Sequence, residues 1–230
     1  MAECDEAKTI GAVESVYCGS GVDGKGLRVV VFFGGCNLRC PFCHNPETLY
    51  RECGKTTAAA VVDRCLKYRG YIRRGGVTLS GGEPFLQPEF CLAIIRGLKR
   101  EGVNVAVETN GHIVNREIIA AADSFIADVK DQITDDLSAY ERFLGECDRA
   151  GKEVVLSNVL VPEVNDSKEK IVALRALKDG HACVKKVKFL PFHKMCEGKY
   201  AELGREFPFA KYREADPEDI ARAEHLFAER

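Results

Sequence analysis

Three thiols stand within eight residues in Cys36-Asn37-Leu38-Arg39-Cys40-Pro41-Phe42-Cys43. Thiols this close in sequence do metal or redox chemistry. A structural zinc site normally takes four ligands in two close pairs set well apart. No second pair exists here, because the other eight of the 11 cysteines stand at least ten residues apart. Three thiolates suit a cubane [4Fe–4S] cluster with one iron left open to an outside ligand, which turns an electron carrier into a catalyst. A zinc-binding interaction module is the non-enzymatic alternative. Metal analysis separates the two, since iron with sulfide supports the first and zinc the second.

Such a site needs elements to hold it. Short β-rich runs alternate along the chain with helical patterns. Strands are predicted over Leu27–Phe33, Val77–Ser80, Val103–Glu108, Phe125–Val129, Val154–Val161 and Val184–Leu190. Several are nearly continuous apolar runs, as expected where both faces of a sheet are covered. Helices are predicted over Thr57–Tyr71, Pro88–Glu101, Asn115–Ala122, Thr134–Ala150, Ser167–Lys178 and Pro217–Ala228. Asp166 with Glu169 reads as a capping box. Asp216-Pro217-Glu218 reads as a cap, a first-turn proline and an acid at the positive helix end. This alternation argues for parallel βα units with right-handed crossovers, too few for a complete eight-stranded barrel. The expected fold is therefore α/β, an open partial TIM-like barrel of about six βα units. It forms a single domain over 1–230, with its core at about 10–195 and a C-terminal helical tail at about 196–230.

Parallel α/β folds bind ligands at the carboxyl ends of their strands. The segments following the predicted strands are Gly34-Gly35-Cys36, Gly81-Gly82-Glu83, Thr109-Asn110-Gly111, Lys130-Asp131, Pro162-Glu163 and Pro191-Phe192-His193. Glycines, acids, a lysine, a histidine and cysteines thus converge on one rim. Taken singly these residues read more plainly: Gly81-Gly82 as a turn, Asp128 beside Lys130 as an ion pair, His193 as a surface histidine.

With 33 basic against 35 acidic residues the net charge of −2 gives no electrostatic case for nucleic-acid or anionic-membrane binding. No apolar run reaches membrane-spanning length, and residues 1–15 lack the pattern of a secretory signal. Eleven cysteines without a secretory signal point to a reducing, cytoplasmic and anaerobic setting rather than a disulfide scaffold. Cys4, Cys53, Cys65, Cys91, Cys147, Cys183 and Cys196 read as small buried residues or incidental thiols. Lys185-Lys186-Val187-Lys188 reads as a solvated strand edge.

The three-then-two cysteine spacing, with Phe42 before the last thiol, resembles the signature of the radical S-adenosylmethionine enzymes. The strings Cys18-Gly19-Ser20-Gly21-Val22-Asp23-Gly24-Lys25-Gly26-Leu27-Arg28 and Cys43-His44-Asn45-Pro46 resemble the glycyl-radical-enzyme activating enzymes within that group. The likeness runs from about Ile10 to about His193 and implies a role for each rim residue. Cys36, Cys40 and Cys43 would hold one [4Fe–4S] cluster whose fourth iron chelates S-adenosylmethionine. Gly81, Gly82 and Glu83 would meet the cofactor's amino group, and Asp128, Val129 and Lys130 its ribose and carboxylate. His193 would lie near the nucleoside, with Phe42 and His44 on the adenine side. Glu108, Thr109 and Asp128 resemble a monovalent-cation site, and the loop Asp23, Gly24, Lys25, Gly26 lies where the partner segment would enter.

The chain departs from the family pattern at three places. Lys25 stands where the family usually has proline, Glu108 where it commonly has aspartate, and Ser157-Asn158 where the fifth strand often carries arginine. The implied reaction is reductive cleavage of S-adenosylmethionine, followed by hydrogen abstraction from a glycine Cα of a partner glycyl radical enzyme. A flavodoxin or ferredoxin would supply the electron, and the chain would act as a monomer. Activation of an anaerobic ribonucleotide reductase, or radical chemistry on a small molecule, is the alternative. Between Cys43 and Gly81 only Cys53 and Cys65 occur, too few for further clusters, so the chain is read as single-cluster.

Overall fold

Six strands lie parallel in the order of the chain, the first five largely apolar and buried and the last a basic edge strand. The computed structural model describes residues 6–229, so Cys4 lies outside the described residues. Its elements are β1 (Ile10–Ser20), β2 (Arg28–Phe33), α1 (Glu47–Tyr50), β3 (Gly54–Thr57), α2 (Ala58–Leu66), β4 (Gly76–Gly81) and α3 (Pro88–Arg100). There follow β5 (Val105–Thr109), α4 (Arg116–Ala121), β6 (Ser124–Asp128), α5 (Ser138–Arg149), β7 (Glu153–Leu160) and α6 (Lys168–Asp179). The chain ends with β8 (Val184–Pro191), α7 (Glu197–Glu202) and α8 (Pro217–Ala228).

The sheet runs β3-β1-β2-β4-β5-β6-β7-β8, and the six strands from β2 onward are mutually parallel. They are the six expected strands, with bounds shifted by a residue or two. The outer strands β3 and β8 do not pair with each other, so the sheet is open. The basic run in Val184–Pro191 falls on that free edge, with Lys185 and Lys186 exposed. Two-residue alternation splits each strand between two faces. Val29, Val31, Phe33, Val77, Leu79, Val105, Val107, Phe125, Ala127, Val154 and Leu156 join one core with helix residues such as Ile94, Ile95, Leu98, Ile118 and Phe143. The alternate positions Thr78, Ser80, Glu108, Asp128 and Ser157 belong to the other, concave face.

Two strands escape the sequence pattern. β1 runs antiparallel to β2, and β3 antiparallel to β1, as a flap on one edge. β1 carries Glu14, Tyr17 and Cys18 at half-exposed or exposed positions, so it lacks the long apolar run that marks the buried strands. The predicted Asp166 cap also differs. Ser167 caps α6 by accepting from the Lys170 amide, while Asp166 accepts from Glu163, whose φ of 69° bends the preceding turn. The Asp216 cap stands as read, with Asp219 completing a capping box.

Candidate active site

A cavity of about 340 Å3 opens at the carboxyl ends of the parallel strands. Cys36, Cys40 and Cys43 line it from the loop after β2, with Phe42 and His44 beside them. Gly81 and Gly82 line it from the end of β4 and just beyond, Glu108 and Thr109 from β5, Asp128 and Lys130 from the end of β6 and just beyond, and His193 from beyond β8. Of the loop before β2 only Asp23 reaches the cavity, while Lys25 is exposed.

The glycines after β4 are explained by the cysteine loop itself. At Gly81 φ is +103°, and an added Cβ would lie 2.3 Å from the Phe33 amide nitrogen. At Gly82 it would lie 1.8 Å from the Gly35 carbonyl oxygen. The Gly82 and Glu83 amides donate to Phe33 and Gly35 carbonyls at 2.8 Å, fixing the start of the loop. Only glycine lets the two backbones approach this closely.

Glu83 does not line the cavity. Its fully buried carboxylate accepts from the Phe85 amide at 3.0 Å, the Thr109 hydroxyl at 2.9 Å and the Asn110 amide at 2.8 Å. Burial pushes it up to about 7 against these three donors. Glu83 thereby ties the β4 loop to the β5 loop.

The concave face is acidic. The Ser80 hydroxyl donates to Glu108 at 2.5 Å. Burial lifts Glu108 to about 7, with Asp128 and Asp23 adding to the rise. Lys130 pairs with Asp128, and although burial alone would lower it, that carboxylate holds it well above the ordinary lysine range. Its ammonium also lies 5.2 Å from the centre of the Phe42 ring. The Tyr140 hydroxyl accepts from the Lys130 amide at 2.8 Å and so fixes the turn after β6. Val129 is fully buried and does not line the cavity.

Burial raises all three cysteine thiols, Cys40 to about 11, with Lys130 opposing the rise. Metal loading would therefore displace protons from thiols. His44 and His193 rings meet edge to face at 4.4 Å, and burial lowers His44. Asp128 Oδ1 and His193 Nδ1 are buried without a hydrogen-bond partner among the described residues, although both residues line the cavity. Three thiols and two unsatisfied polar atoms on one cavity fit an iron–sulfur cluster with a polar cofactor beside it. All ten described cysteines are free, and among the described residues no three metal-binding side chains gather closely enough for a single ion.

The model of a 4Fe-4S single cluster domain matches residues 22–138. The pyruvate formate-lyase-activating enzyme of Clostridium pasteurianum is 34% identical over 234 residues, covering 96% of this chain and 98% of its own. The chain belongs to the pyruvate formate-lyase-activating enzyme family. The pyruvate formate-lyase 1-activating enzyme of Escherichia coli K12 is 30% identical over 86% of this chain and 87% of its own. A radical SAM methyltransferase from Sphaerobacter thermophilus superposes with a TM-score of 0.60 at 20% identity, over 87% of this chain and 63% of that one. This last likeness concerns the fold alone, an α/β fold on an open, mostly parallel sheet.

Several residues of this activating-enzyme relative were not singled out from sequence. Lys199 on α7 donates to the His44 carbonyl at 2.9 Å and to Glu47 at 2.6 Å. Phe192, Tyr200, Phe207 and Phe209 form an aromatic cluster behind Phe42 and Cys40, with Phe42 and Phe209 centroids 5.7 Å apart. The tail after residue 195 therefore backs the cysteine loop. Its aromatic spacing, Phe207-x-Phe209-x-x-Tyr212, was the available signal. Arg28, 1% exposed, donates to Thr78 and to the Val77 carbonyl at 2.6 Å and ties the start of β2 to β4. Asn158, in the stretch without the expected arginine, joins Asp131 and Asn165 in a buried network at 2.7 and 2.8 Å.

Proposed function

We propose that the protein is a radical S-adenosylmethionine activase that installs a glycyl radical on pyruvate formate-lyase or a related glycyl radical enzyme. One observation carries this reading: the three cysteines open onto the same cavity as Asp128, Lys130 and His193. Cys36, Cys40 and Cys43 would hold a [4Fe–4S] cluster that, reduced and with S-adenosylmethionine beside it, would supply one-electron chemistry yielding methionine, 5′-deoxyadenosine and a glycyl radical on the partner.

The chain's own residues hold and shield. Cys36, Cys40 and Cys43 would be the protein's ligands to the cluster. Asp128 Oδ1 and His193 Nδ1 offer the cofactor polar contacts that no described residue takes up. The paired Lys130 holds Asp128 in orientation. Glu108 is the carboxylate that a monovalent cation would draw back toward its charged form, with Thr109 and Asp128 beside it. The aromatic cluster behind Phe42 and Cys40 keeps water from the back of the loop. A flavodoxin or ferredoxin supplies the electron, and the free cysteines suit a reducing cytoplasm.

The test is anaerobic reconstitution with iron and sulfide, then reduction with S-adenosylmethionine present. Methionine and 5′-deoxyadenosine should form, and adding pyruvate formate-lyase should give the electron paramagnetic resonance signal of a glycyl radical. Alanine at Cys36, Cys40 or Cys43 should abolish iron binding and both reactions. A fully reduced cluster that releases no 5′-deoxyadenosine would overturn the reading, and radical formation only on a ribonucleotide reductase would reassign the partner.

A further inference from the structure

The side chain of Asn110, just beyond β5, is 6% exposed and held at both ends. Its Oδ1 accepts from the His112 amide at 3.1 Å. A backbone N–H can only meet the oxygen, so the Nδ2 group must face the other way. There it donates to Cys36 Sγ at 3.6 Å and to Asn37 Oδ1 at 2.8 Å. The Asn110 amide is fixed in turn by the buried Glu83 carboxylate at 2.8 Å. The Leu38 amide adds a second donor to the same sulfur at 3.4 Å. Among the described residues no side chain donates to the sulfur of Cys40 or Cys43, and Cys43 has only the Asn45 amide, so Cys36 alone of the three takes a side-chain donor.

We propose that Asn110 is a positioning residue that tunes the cluster through the Cys36 sulfur. It donates an N–H···S hydrogen bond that favours the reduced cluster. The inference rests on the cluster assignment above. A hydrogen bond to a cluster sulfur withdraws electron density, and the reduced cluster, being more negative, gains more from it than the oxidised one. Losing the donor should therefore make the cluster harder to reduce without removing a ligand. The rigidity matters as much as the contact, because Glu83 and His112 leave Asn110 no other place to turn.

The experiment is a redox titration of the full chain, reconstituted with iron and sulfide and followed by the paramagnetic signal of the reduced cluster without S-adenosylmethionine. Asn110→Leu keeps the approximate shape and removes the donor. At the poise where the native cluster is half reduced, its ratio of reduced to oxidised cluster should fall about threefold or more, as expected for one weak hydrogen bond. Iron and sulfide contents should match the native protein. Asn110→Gln, which keeps an amide donor, should recover part of the ratio. Asn110→Asp, which keeps the His112 contact and loses the donor, should fall at least as far as the leucine variant. Full clusters with an unmoved ratio in the leucine or aspartate variant would overturn the tuning role, and so would loss of the cluster in both. A native protein that binds no iron and sulfide would instead overturn the cluster assignment itself.

Discussion

The Lys199 ammonium stands 2.9 Å from the carbonyl oxygen of His44, the residue that follows the last cysteine, across 155 residues of sequence. The same ammonium holds Asn45 Oδ1 at 3.3 Å and Glu47 at 2.6 Å. The end of the cysteine loop is thus pinned by the C-terminal segment, while its start is pinned by the backbone of Gly82 and Glu83. A loop fixed at both ends can present three thiols without reordering when it takes up metal.

Lys199→Met should therefore loosen the loop more than the fold. The side chain is 43% exposed, so its charge is partly screened and the global cost should be only about 1 kcal/mol. That corresponds to a fall of about 2–4 °C in the melting temperature of the metal-free protein. Iron release to a chelator should nevertheless speed up several-fold. A variant that keeps the native release rate would show that the clamp does not act on the cluster loop.

Gly82 tests the other end of the loop. A methyl group 1.8 Å from the Gly35 carbonyl must displace it, and Gly35 immediately precedes Cys36. Gly82→Ala should cost about 2 kcal/mol or more and lower the iron taken up on reconstitution. Gly21→Ala is the control, because a Cβ there meets nothing within 4 Å. Urea unfolding and iron analysis measure both, and equal behaviour of the two variants would refute the close-approach argument.

What the sequence disclosed followed from how local the signal was. The cysteine spacing and the six parallel strands are written in contiguous residues, and the carboxyl-end rule then placed the rim. The β1 flap was not legible, because a strand exposed on one side carries polar residues and no apolar run. Neither was the work of Glu83, whose three donors come from Phe85, Thr109 and Asn110. Lys199 and Phe209 were hidden for the same reason: they meet the site only through folding, from a segment whose aromatic spacing does not say what it packs against.

His181 gives a pH dependence. Its Nδ1 lies 2.7 Å from Asp148 and its Nε2 2.7 Å from Glu141, so the charged ring donates to both and joins the start of β8 to α5. Burial opposes the charge, but the two carboxylates outweigh it and the histidine is raised above its ordinary value. A raised histidine contributes stability that is fully present below its unfolded value, about 6.5, and is lost as pH rises through the folded value. The stability difference between the native protein and His181→Gln should be flat below about pH 6.5 and shrink above it. Urea unfolding across pH measures this, and a difference that grows with pH would contradict the pairing.

The loop Asp23-Gly24-Lys25-Gly26 divides between cavity and surface. It sits at the amino-terminal end of β2, opposite the cysteines along that strand. The Thr78 hydroxyl donates to the Asp23 carbonyl at 2.6 Å and Arg28 donates to the Lys25 carbonyl at 3.3 Å, so the backbone is anchored. Asp23 lines the cavity and Lys25 is exposed. Across the open edge Lys188 reaches the Val22 carbonyl at 3.5 Å, which places the loop beside the gap in the barrel. An exposed charge at such a gap acts on association, whereas a cavity carboxylate acts on whatever occupies the cavity. Lys25→Glu should slow glycyl-radical formation on the partner several-fold and make it more salt-sensitive, with 5′-deoxyadenosine release in the partner's absence nearly unchanged. Asp23→Asn should change both rates. The two assays are growth of the glycyl radical signal and chromatography of the nucleoside. Equal losses in both for Lys25→Glu would put Lys25 in the cofactor site, and no loss in either would leave the loop an ordinary anchored turn.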